Sequence, residues 1–108
     1  MVSAKISLKG KVENGNLYAP QDIVNFLIKN AGFTKGEHVS SIRTVRAYSE
    51  AIFVEGDSKL TVFVQFGPRD RIPYEAILDC RNIEKSIFDY VRNYLATKGL
   101  SRESRVHP

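Results

Sequence analysis

Apolar and polar side chains alternate from the first residues onward. Val2, Ala4, Ile6, Leu8 and Val12 share one side, while Ser3, Lys5, Ser7, Lys9 and Lys11 share the other. Period two is the signature of a half-buried strand. Glu13-Asn14-Gly15-Asn16 predicts a tight reversal, since Asn-Gly accepts positive φ. The returning arm Leu17-Tyr18-Ala19 is short, because Pro20 has no donor for the ladder. From Pro20 the spacing changes to threes and fours: Ile23, Val24, Leu27, Ile28 and Ala31 predict an amphipathic helix over 21–31, with Gly32 ending it.

Residues 39–48 are rich in β-branched side chains and predict a strand, bulged because the alternation is imperfect. Residues 51–55 and 60–66 predict a hairpin across Gly56-Asp57-Ser58-Lys59. In the second arm Leu60, Val62, Val64 and Phe66 point one way. Phe63 points the other, toward solvent or a second layer. Beyond Pro73, two readings stand. Ile77, Cys80, Glu84, Ile87, Val91 and Tyr94 fit one face of a single helix over 73–97, or Asp79 or Asn82 caps a shorter one. In both, Ile83, Ile87, Tyr90, Val91, Tyr94 and Leu95 form a broad apolar stripe, and Gly99 stops the helix.

The expected fold is α+β: a two-layer sandwich in which an antiparallel sheet of four or five strands carries two helices packed on one face. Residues 1–100 form the single domain, and residues 101–108 are read as a flexible basic C-terminal tail. Helix, three strands, helix over residues 20–97 resembles the layout of a double-stranded-RNA-binding domain. That family's lysine cluster at the start of the final helix is missing: Arg81 and Lys85 are interrupted by Glu84. The resemblance is one of order, and it assigns no residue a role.

Composition narrows the function classes. With 43% hydrophobic residues in 108, the chain can bury a core without staples. The single Cys80 excludes an internal disulfide, and its apolar register predicts a buried small hydrophobe, not a nucleophile. No run approaches the roughly 20 apolar residues of a membrane span. MVSAKISLKG lacks the apolar run of a signal peptide. The expected location is cytoplasmic, with no membrane partner. His38 and His107 sit in polar contexts and are read as solvated. Asp70, Glu75 and Asp79 are interleaved with arginines, which favours local ion pairs over a cation site. No phosphate loop and no HExxH or CxxC spacing occurs. The expectation is a protein without catalytic residues, metal or cofactor.

The net charge of +4 is unevenly placed. Residues 1–12 carry +3, residues 98–108 carry +2, and the body between them sums to −1. Basic ends favour a polyanion. Lys5, Lys9 and Lys11 lie on one strand face, where positions two apart stand about 6–7 Å from each other, and can follow phosphates. The competing role is protection of an edge strand from sheet-to-sheet association. Arg43 and Arg46 precede Tyr48, which can stack on a base, though a regular strand puts the two arginines on opposite faces. Arg69 and Arg71 lie in the Gly67-Pro68 loop around Asp70. The functional expectation is a small basic protein that binds RNA or single-stranded DNA with weak sequence specificity through Lys5, Lys9, Lys11, Arg43, Arg46, Tyr48, Arg69 and Arg71. The alternative is a non-catalytic interaction or scaffold module with a protein partner. A homodimer is expected in either case, joined through the first strand or the final helix.

Overall fold

Alternation and pairing, more than local propensity, decide the architecture. The structure is a computed structural model that describes residues 1–12, 25, 29, 39–45, 47–67, 69–70 and 72–106. Its elements are β1 (Val2–Gly10), β2 (Val39–Thr44), β3 (Tyr48–Glu55), β4 (Ser58–Phe66), β5 (Pro73–Ile83), α1 (Lys85–Thr97) and β6 (Leu100–Arg105). The strands form one antiparallel sheet of six, in the order β2-β3-β4-β5-β1-β6.

This corrects the expected sandwich of four or five strands and two helices. Six strands are present, and α1 is the single helical element bounded among the described residues. The predicted reversal at 13–16 and the helix over 21–31 lie outside the described residues, apart from Asn25 and Lys29, which are helical. Residues 73–83 are not helical. Ala76, Leu78 and Cys80 are buried on one face while Glu75, Ile77, Asp79 and Arg81 take the other. Glu, Ala, Asp and Asn are poor strand formers, but β5 pairs with β4 on one side and β1 on the other. Two ladders and a buried face override propensity. Four strands therefore stand between the helical positions and α1, and the double-stranded-RNA-binding layout does not apply. The segment read as a tail is largely a strand as well: β6 pairs with β1 from Ile6↔Arg105 to Gly10↔Leu100.

The hairpin of β3 and β4 forms as expected, with Gly56 at φ 58 in a turn that joins Glu55 to Ser58. The strand predicted over 39–48 is shorter, β2 ending at Thr44, and the strand predicted over 51–55 starts earlier, β3 beginning at Tyr48. Two bulges shape β5. Between Ala4↔Cys80 and Val2↔Ile83, β5 takes three steps to two on β1. Asn82 there has φ 56, its N–H donates to Ser3 Oγ at 2.9 Å, and its carbonyl accepts from Ser58 Oγ at 2.6 Å. Between Gln65↔Glu75 and Phe66↔Pro73, Tyr74 is the extra residue. Bulges bend the strand and turn a side chain out of the regular alternation.

The core lies on one sheet face. Ala51, Val62, Leu78 and Ile6 form a row across four strands, flanked by Phe53–Leu60–Cys80 and Val64–Ala76–Leu8, and all are buried. Helix α1 covers β1, β5 and β6 with Phe88, Val91 and Leu95. Each buried large aliphatic side chain contributes about 1.5–3 kcal/mol. Most of the predicted stripe is therefore spent on the sheet: Ile87 and Tyr94 are half-buried, while Tyr90 is 50% exposed. Arg92 ties the helix to β6, with Nε 3.8 Å from Glu103 Oε1.

Candidate nucleic-acid interface

On the opposite sheet face the side chains stand in parallel rows, and no described element packs on them. Ile52, Thr61, Asp79 and Lys5 make one row from β3 to β1. Arg43, Glu50, Phe63, Ile77, Ser7 and Ser104 make the next, crossing all six strands. Tyr48, Gln65, Glu75, Lys9 and Arg102 make the third. Lys59 and Arg81 face each other at the other end.

The centre of this face is aromatic and apolar, and its border is basic. Tyr48 and Phe63 contact each other with ring centroids 4.7 Å apart, and Arg43 Cζ lies 6.0 Å from the Tyr48 ring centre. Ile52, Phe63 and Ile77 are half-buried. Lys5, Lys9, Arg43, Lys59, Arg81 and Arg102 are all exposed around them. Glu50, Glu75 and Asp79 are the acids of the three rows, so the face carries about three more positive than negative charges.

The three acids are not equivalent. Glu75 is engaged: Ser7 Oγ donates to its Oε2, Gln65 Nε2 donates to Oε1 at 2.9 Å, and Lys9 Nζ lies 4.0 Å away. The Tyr74 hydroxyl extends the network by donating to Gln65 Oε1 at 3.0 Å. This explains how Ser7, a buried hydroxyl, is satisfied. Glu50 and Asp79 make no side-chain hydrogen bond or ion pair among the described residues. They border a shallow cleft of about 290 Å³ lined among the described residues by Lys5, Glu50, Thr61, Phe63, Ile77 and Asp79.

Of the residues expected from sequence, the fold brings Lys5, Lys9, Arg43 and Tyr48 onto this one face. Lys11 is exposed beyond the end of β1, and Arg69 is exposed in the β4–β5 loop, so neither joins the rows. Arg46 and Arg71 lie outside the described residues, as do His38 and His107. Phe63, Lys59 and Arg81 are not among the residues expected from sequence, and Arg102 is expected only as a non-specific contact from the basic tail. Phe63 had a signal in its outward register, but Arg81 was assigned to a helix and Arg102 to a tail. The strand β1 is paired on both sides, so its lysines do not guard an edge, and it offers no free edge for a second copy.

Cys80 is buried on the core face, though on a strand and not in the helical register predicted for it. Burial, reinforced by the negative charge of Asp79, pushes its thiol up to about 12, so the thiolate needed of a nucleophile is not formed near neutral pH. Among the described residues no group of three or more His, Cys, Asp or Glu is placed to hold a metal ion, and no helix is long and apolar enough to cross a membrane. No protein-family model, curated protein or solved structure matches the chain.

Proposed function

We propose that this protein binds single-stranded nucleic acid, RNA or DNA, across the open face of its sheet. The observation that carries the reading is the Tyr48–Phe63 ring pair, 4.7 Å between centroids, set inside a border of lysines and arginines drawn from β1, β2, β4, β5 and β6. Rings that keep part of a face open to solvent stack on unpaired bases with little regard to sequence, and surrounding cations hold the backbone. A duplex hides its base faces and leaves such rings without a partner. Helix α1 is on the other side of the sheet and carries Lys85 and Arg92 already paired with Asp89, so it does not suit insertion into a groove.

The test is fluorescence anisotropy with a labelled U-rich single strand and a matched duplex across a salt series. Six cations lie on the face, and Lys9 is shared with Glu75. Contact with about four phosphates gives a log–log salt slope near −3 for a single strand. Binding at low salt with a dissociation constant below roughly 100 μM, and preference for the single strand, is the expected result. No binding at that concentration, or equal binding of the duplex, overturns the proposal. The rival adaptor function would appear instead as self-association through the apolar patch of Ile52, Phe63 and Ile77, abolished by Phe63→Glu.

A further inference from the structure

The reading of the open face as a single-strand surface leaves its cleft unexplained. Phosphates account for the lysines and arginines, but not for the carboxylates of Glu50 and Asp79, which have no side-chain partner among the described residues. Resting on that reading, we propose that the cleft over Phe63 and Ile77 selects a guanine base, with Asp79 and Lys5 reading its Watson–Crick edge.

The floor of the cleft is apolar. Phe63 and Ile77 are directly opposite each other on β4 and β5, both half-buried. A base stacked on Phe63 lies over the sheet, with its edge directed along the strands toward the neighbouring row. That row presents Thr61, Asp79 and Lys5, with Asp79 directly opposite both of the others. Side chains so paired stand about 5 Å apart, the span of one base edge.

The order of donors and acceptors then decides the base. A carboxylate has acceptors only and takes two adjacent donors best. Guanine alone among the four common bases offers two neighbouring donors on this edge, N1–H and the N2 amine, with the acceptor O6 beside them. Asp79 accepts from N1–H and N2–H, and Lys5 donates to O6. Adenine and cytosine place an acceptor beside their amino group, and uracil places an acceptor on each side of its one donor. Each turns a lone pair toward the Asp79 carboxylate. Neither Asp79 nor Lys5 has a side-chain partner among the described residues that a base would have to displace. Glu75, by contrast, is held by Ser7, Gln65 and Lys9 and is not available for such a role.

The experiment compares U-rich RNA strands of about eight nucleotides that differ at one central position, measured by anisotropy with the full chain. The strands carry uracil, guanine or inosine there. Inosine keeps O6 and N1–H and lacks only the N2 amine. The guanine strand binds about tenfold tighter than the uracil strand, and inosine falls between them. Asp79→Asn keeps the shape of an exposed side chain and removes the paired acceptors. It abolishes the guanine preference while the all-uracil strand binds at least as well as before. Equal affinity of the three strands, with binding retained, overturns the guanine assignment and leaves the single-strand reading standing. A guanine preference undiminished in Asp79→Asn overturns the assignment to this cleft. Failure of every strand to bind overturns both.

Discussion

Gly99 places β6 against β1, and its replacement by alanine should loosen that arrangement. Its φ is +111, and a Cβ built there overlaps the Lys11 carbonyl oxygen, while standing 3.0 Å from the Lys11 carbonyl carbon and 3.3 Å from Val12 Cα. None of these atoms can step aside, because all are backbone of the segment following β1. Two costs follow. The left-handed backbone costs an alanine about 1–2 kcal/mol. Separating the two chain segments costs about 1–3 kcal/mol more, the range for overpacking. Gly99→Ala should therefore lose about 2–5 kcal/mol, a large share of the roughly 5–15 kcal/mol that holds a domain together. The matching control is Gly56→Ala. Gly56 has φ +58 and nothing within 4 Å of an added Cβ, so it meets the backbone cost alone. The two variants should differ by about 1–3 kcal/mol in urea unfolding followed by circular dichroism, with unchanged m. Equal losses would refute the steric argument. Because β6 carries Arg102 beside Lys9, Gly99→Ala should also weaken single-strand binding when measured below its melting temperature, and Gly56→Ala should not.

Two further outcomes are expected. Tyr48→Ala and Phe63→Ala should each weaken single-strand binding by about 5- to 150-fold, the loss of one stacked base, whereas Tyr90→Ala on α1 leaves it unchanged; anisotropy reads all three. Cys80 should resist thiol reagents in the native state, reacting only as fast as the fold opens. Its thiol is raised to about 12, above the roughly 8.5 of the unfolded chain, so its contribution to stability is complete below about pH 8.5 and is lost as pH rises toward 12. Unfolding curves from pH 7 to about 10.5 should therefore fall more steeply for the native chain than for Cys80→Ala; parallel curves would remove burial of the thiol as the cause.

The sequence by itself determined the elements whose pattern is local. Strict alternation located β1 and β4, the Gly56-Asp57 turn located the hairpin of β4 with β3, and the Ile87–Val91–Tyr94–Leu95 spacing located α1, though the sequence alone did not say where that helix begins and left Phe88, which is buried, out of the stripe. It also singled out Lys5, Lys9, Arg43 and Tyr48 by charge and ring chemistry. Tertiary structure decided the rest, for reasons of pairing. Residues 73–83 carry weak strand formers that also fit a helical stripe, and only ladders on both sides make them β5. Residues 100–105 have one large apolar side chain, and they become β6 because β1 offers an unpaired edge that Gly10 and Gly99 let them approach. Those two strands carry Arg81, Asp79 and Arg102, which read as helix and tail in one dimension. Which charges share a face depends on sheet order, and sheet order is set by contacts between residues as far apart as Ser7 and Glu75. Local spacing carries no record of that distance, so the separate basic patches of the sequence become one surface only when β1 is laid between β5 and β6.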